Sequence, residues 1–326
     1  MCGLASGQER QASRSQQDGD SLLPAVLFGG AAMLRIEKIH CPVDFSEYSL
    51  KAFDYAQSLA QHYGAKLLLQ HVIQPLSSNY PYYAFPDTIN DVFWNLESSA
   101  DQKLSELVTA QQKNGFEIRR FVHKGTVPDC ILAFSEAQAA DLIVMGTHGR
   151  HGFDHLTMGS VAEKVLRKAH CPVLVVRKPA HDFVNPADPS EPVRLKKMLY
   201  CTDFSEYSGR ALTYALSLAM EYNAELTLLH VLEDVPSTDG LQESVADVTR
   251  RLEALAPPEA GDWCSIRTAV RIGKPYQQIL QIALETDTDL VVMGVRGRNA
   301  VDLAVFGSTA HRVIQLGTSP VLAVHL

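Results

Sequence analysis

The stretch DLIVMGTHGRHGFDHLTMGS, Asp141–Ser160, leaves an apolar run and enters four glycines, three histidines and an arginine with no proline. A continuous run such as LIVM reads as a strand buried between two helical layers. GSVAEKVLRKA, which follows, reads as a helix, so the glycines join a strand end to a helix start. The arrangement recurs in DLVVMGVRGRNAVDLAVFGS, Asp289–Ser308. There the histidines are gone, yet Gly146, Gly149, Arg150, Gly159 and Ser160 return as Gly294, Gly297, Arg298, Gly307 and Ser308.

The rest of the chain repeats with it. DFSEYS occurs at Asp44–Ser49 and again at Asp203–Ser208, an offset of 159 that carries Ala52, Ala56, Leu59 and Tyr63 onto Ala211, Ala215, Leu218 and Tyr222. From Gly125 onward the offset is 148, which places eleven extra residues of the first copy between Val72 and Gly125. That interval holds SSNYPYYAFPD, an aromatic, proline-broken loop without a counterpart. Strand-like runs fall at 36–43, 66–73, 116–123, 141–145 and 172–176, and again at 196–202, 225–231, 264–271, 289–293 and 320–324. The 4-3-4 spacing of Ala52, Ala56, Leu59 and Tyr63 marks one face of an amphipathic helix between the first two runs. Strands alternating with helices predict an α/β fold of two tandem, Rossmann-like, doubly wound domains, each with a five-stranded parallel sheet. The boundaries read as an unstructured extension over 1–34, domains over 35–177 and 195–326, and a proline-rich linker over 178–194. Met33 opens the first strand segment, so the residues before it are expected to be dispensable.

A chain of 326 residues accommodates two such domains. The net charge of −8 lacks the basic excess of a nucleic-acid surface. No apolar run reaches the roughly 18–20 residues a membrane helix needs. The six cysteines are scattered without C-x-x-C spacing, as expected for reduced thiols of a cytoplasmic protein.

In open α/β sheets, ligands bind beyond the carboxyl ends of strands, where the strand order reverses. Glycines there permit positive φ or close backbone approach to an anion, and the helix start after Gly159 offers free N–H groups to phosphate. Ser160 and Ser308 add a hydroxyl, and Arg150 and Arg298 add charge. The bland alternative is a surface loop with a serine N-cap. Asp44 with Glu47, and Asp203 with Glu206, also fit a capping pair for the following helix. Neither copy is a Walker loop or a dinucleotide G-x-G-x-x-G. His148, His151 and His155 are matched by Arg296, Asn299 and Leu303, so a metal common to both copies is not expected. His71 and His230, at strand ends, read as packed side chains.

With G-x2-G-x9-G-S in both copies, V-D-F-S and T-D-F-S after the first strands, and H-V ending the second, the chain resembles the universal stress protein family in its tandem, ATP-binding form. The resemblance covers about residues 35–326 and implies a stress-response or signalling protein with one adenine-nucleotide site per domain. It implicates Val43, Asp44 and Val72, then Met145, Gly146, His148, Gly149 and Arg150, then Gly159, Ser160 and Val161. The second site would use Thr202, Asp203 and Val231, then Met293, Gly294, Arg296, Gly297 and Arg298, then Gly307, Ser308 and Thr309. Cys201 in place of Pro42, and Arg296 in place of His148, leave the two sites unequal.

The implied ligand is ATP, or ADP or AMP, with Mg2+ as its companion, and the implied action is nucleotide-dependent interaction with a protein partner. No general base recurs beside the glycines, which disfavours a slow ATPase, and the intact motifs in both copies disfavour a nucleotide-free dimeric scaffold. The last strand of each copy, CPVLVV and SPVLAV, is expected at a sheet edge; the resemblance implies that these strands pair by pseudo-twofold docking of the copies, whose duplicated surfaces would favour a further homodimer.

Overall fold

The computed structural model describes residues 26–28, 31–74, 86–111, 116–148, 158–177, 182–233, 238–258, 260, 263–296 and 307–325. A short antiparallel hairpin, β1 (Val26–Phe28) and β2 (Ala31–Met33), precedes the first domain. That domain runs β3 (Lys38–Pro42), α1 (Glu47–Tyr63), β4 (Lys66–Ile73), α2 (Pro86–Gln111), β5 (Ile118–Lys124), α3 (Val127–Ala137), β6 (Leu142–Gly146), α4 (Ser160–Lys168) and β7 (Val173–Val176). The second repeats it with β8 (Lys197–Cys201), α5 (Glu206–Glu221), β9 (Glu225–Leu232), α6 (Thr238–Glu253), β10 (Ser265–Ile272), α7 (Pro275–Glu285), β11 (Leu290–Gly294), α8 (Ser308–Leu316) and β12 (Val321–Val324). All ten expected strands are present, with ends within two residues of the sequence reading.

The ten domain strands form one sheet in the order β10-β9-β8-β11-β12-β7-β6-β3-β4-β5. Pairing is parallel within each copy, and the single antiparallel pair joins β12 to β7. At that seam Leu322 faces Leu174, Val321 faces Val175 and Ala323 faces Val173. Leu174 and Leu322 are repeat equivalents, so the pseudo-twofold axis passes between them. The two edge strands thus satisfy each other. Tyr63 and Tyr222, also equivalents, flank the same axis, where the ring of His62 lies 4.8 Å from that of Tyr222 and its Nε2 is 2.9 Å from Glu221.

Strand side chains alternate between two cores that both cross the seam. Leu142 and Val144 face the side covered by α1, α2, α5 and α6, whereas Ile143 and Met145 face α3, α4, α7 and α8. The offset of 148 already holds inside α2 and α6, where buried Ala100 and Leu104 match Val248 and Leu252. The extra residues of the first copy therefore lie before Ala100 and extend the start of α2 by up to four residues, 86–89, while its last six, 106–111, match residues 254–259 that follow α6.

Two segments without periodicity are structured where described. Within the expected extension, β2 packs on α5 and the Leu34 amide donates to Ser217 Oγ at 2.5 Å. In the linker, Phe183 and Val184 are buried, and Asp182 accepts from Lys51 Nζ at 2.5 Å and Tyr55 OH at 2.8 Å. The linker is stitched to α1 by isolated contacts, which leave no period to read.

Candidate functional site

The strand order reverses between β3 and β6, and a cleft of about 680 Å³ opens there in the first domain. Its walls come from the end of β3 (Val43, Asp44), the end of β4 (Val72), the end of β6 (Met145, Gly146, His148), the start of α4 (Gly159, Ser160, Val161) and Lys103 of α2. The volume lies within the range of small-molecule sites, roughly 300–1,000 Å³.

The loop from β3 to α1 is held under strain. Phe45 has φ +63° and Phe204 has φ +59°, a left-handed conformation that costs about 1–2 kcal/mol outside glycine. His71 Nδ1 donates to the Val43 carbonyl at 2.7 Å and its ring lies 4.8 Å from Phe45. His230 does the same to the Thr202 carbonyl at 2.7 Å, with its ring 4.7 Å from Phe204. Both histidines thus brace the loop, as packed side chains.

The aspartates are not the helix caps. Ser46 caps α1 and Ser205 caps α5, each accepting from the amide three residues on, Ser49 and Ser208. Asp44 Oδ1 accepts from the Ser46 amide at 3.0 Å and hydroxyl at 2.6 Å, and Asp203 repeats both bonds on Ser205. The carboxylates therefore orient the cap serines while Asp44 faces the cleft. Thr202, where the first copy has Val43, donates to Ser208 Oγ at 3.0 Å and accepts from the Phe204 amide.

The glycines serve packing more directly than the sequence suggests. Neither Gly146 nor Gly294 has positive φ. A Cβ on Gly146 would lie 2.8 Å from the backbone carbon and oxygen of Tyr48, and one on Gly294 would lie 2.9 Å from those of Tyr207. A Cβ at either position would therefore clash with the first turn of the neighbouring helix. Gly159 and Gly307 close the far end: their amides donate to Thr147 and Val295 carbonyls at 2.9 Å, and a Cβ would sit 2.9 and 3.0 Å from those oxygens. Being N-caps without side chains, they bring nothing to the first N–H groups of α4 and α8. Ser160 and Ser308 are the first helical residues and not the caps.

His148 is buried, with Nδ1 2.8 Å from Thr147 Oγ1 and its ring 5.1 Å from Tyr48. Arg296 takes the same place over Tyr207, whose hydroxyl accepts from Nη1 at 3.2 Å. Met293 is buried, Val231 packs on the same core as Val72, and Thr309 is half-buried in the first turn of α8. Gly149, Arg150, His151, His155, Gly297 and Arg298 lie outside the described residues.

One pair of cations was missed in the sequence. Lys103 Nζ lies 5.5 Å from the centre of the Phe45 ring, and Arg251 lies 3.7 Å from that of Phe204. They match at the offset of 148, a signal that starting that offset at Gly125 passed over.

The sequence profile of the universal stress protein family matches residues 35–177 and 194–325, most of the chain. The chain belongs to the universal stress protein family. A universal stress protein of Mycolicibacterium smegmatis is 25% identical over 293 residues, covering 86% of this chain and 95% of its own length. One from Methanocaldococcus jannaschii is 33% identical over 148 residues, 44% of this chain and 83% of its own. Among solved structures, a universal stress protein from Archaeoglobus fulgidus superposes with a TM-score of 0.63 at 24% identity, covering 88% of this chain and 95% of that one. That likeness shows the two-domain universal stress protein fold. Among the described residues no helix is long and apolar enough to cross a membrane.

Proposed function

We propose that each domain binds one adenine nucleotide, and that occupancy alters a surface offered to a protein partner. What supports this reading above all is the first cleft, where Asp44, Val72, Gly146, Gly159 and Ser160 converge from four separate elements. The uncapped N–H groups at the start of α4, together with the positive end of the helix, suit a phosphate chain. Ser160 Oγ adds a donor, and Lys103 on the opposite wall adds a compensating charge. Asp44 and Val72 would enclose the nucleotide together with the glycine motif, as the family resemblance implies. Mg2+ would travel with the phosphates, supplying charge neutralisation. Binding of this kind signals only if the partner distinguishes loaded from empty protein.

Freshly purified protein should release an adenine nucleotide on denaturation, identified by mass, or bind added ATP or ADP at two sites per chain. Release of another ligand class, or no nucleotide binding at either domain, would reject the proposal.

A further inference from the structure

The antiparallel seam turns the two domains end for end, so the cleft end of one domain abuts the opposite end of the other. Two repeat-equivalent residues, Arg177 and His325, exploit this. Each lies one residue beyond the last strand of its domain, next to the strand end that carries a site glycine: Val176 pairs with Gly146, and Val324 with Gly294. Each reaches across the seam. His325 Nε2 donates to the Leu166 carbonyl of α4 at 2.6 Å, and Arg177 Nη1 donates to the Gln315 carbonyl of α8.

Those carbonyls lie in the last turns of the very helices whose first turns carry Ser160 and Ser308. The last four carbonyls of a helix lack partners of their own, and donors or cations there favour the helix. A nine-residue helix is about 13 Å long, so α4 runs from its start beside Gly159 to His325 of the second domain, and α8 from its start beside Gly307 to Arg177 of the first. Arg296, at the mouth of the second glycine loop, is close enough to His325 to oppose its protonation, which burial opposes first.

We propose that the two nucleotide sites are positively coupled through this reciprocal bracing. The inference rests on the nucleotide reading above. A ligand that fixes the β11–β12 strand ends keeps His325 under the last turn of α4, and an anion at the first turn of α4 favours the same helix position. Both ligands therefore stabilise one arrangement, and the effect is reciprocal by linkage.

Ser160→Phe and Ser308→Phe each obstruct one site with a neutral side chain, so that neither supplies an anion of its own to the helix start. ADP titrations should show the second site binding about fivefold or more weakly in Ser160→Phe than in wild type with its first site filled. His325→Leu with Arg177→Leu should erase that difference and leave both single-site affinities in place. His325→Gln with Arg177→Lys, which keep donors at both positions, should retain it and guard against a merely structural loss. Two independent sites in wild type, or coupling that survives the leucine pair, would overturn the proposal while leaving nucleotide binding intact. No ADP binding in any form would remove the functional reading and this one with it.

Discussion

Gly146 and Gly294 stand where the first turn of a helix crosses a strand end, and there is no room there for a single methyl group. Gly146→Ala should cost about 1–3 kcal/mol, read as a lower urea midpoint, because α1 must shift. His40 shows the opposite economy. It is fully buried, with Nε2 3.0 Å from Gln70 Oε1, and Gln70 in turn lies 2.8 Å from His123 Nδ1. The second domain holds Leu199, Leu229 and Arg271 at these places, so the fold does not need the network. Burial pushes His40 down to about 3 and His325 down to about 4. Between pH 6.5 and about 4 the unfolded chain therefore takes up protons that these folded histidines refuse, and stability falls as pH falls. Asp54 works the other way: burial first, with Asp182 adding and Lys51 opposing, lifts it to about 6, so its folded form holds a proton that the unfolded one has lost. Two histidines against one aspartate leave a net acid loss. Urea midpoints measured from pH 7 to pH 4.5 should decline, and His40→Leu should flatten the decline. A profile unchanged by that substitution would remove His40 from the account.

At the scale of elements, strands and repeats were legible because buried parallel strands are apolar on both faces and duplication supplied a register. The first turns of α1 and α5 were read less well. DFSE suggested an aspartate cap, but the strain at Phe45 and Phe204 moves the start of the helix to the serine and leaves the carboxylate to orient it. Ser46→Ala should cost roughly 1 kcal/mol as a lost cap, and it should also free Asp44 from its 2.6 Å bond and so weaken the first site. Lys103 and Arg251 were passed over because they come from helices outside the motif, although the offset of 148 pairs them; the fold sets each beside a loop ring, Phe45 or Phe204. The linker contacts were illegible for a different reason: Asp182, Phe183 and Val184 belong to no periodic element. Phe183→Ala should destabilise by about 3–5 kcal/mol, seen as an early loss in thermal unfolding, since the ring is buried edge-on against Tyr55.

The molecule as a whole is one ten-stranded sheet with two cores running through its seam, in place of two beads on a tether. Cleaving the chain between the domains should leave halves that co-purify at micromolar concentration, because β7 and β12 are each other's edge cover and both cores are shared. Halves that part as stable monomers would show that the seam is incidental. The same end-for-end arrangement sets Gly146 and Gly294, with the strand ends that carry them, at opposite ends of the sheet. Native mass spectrometry of the chain titrated with ATP counts the occupied sites directly. Wild type should carry two adducts, Ser160→Asp one, Ser308→Asp one and the double variant none; adducts that persist in the double variant, or none on wild type, would contradict one nucleotide site per domain.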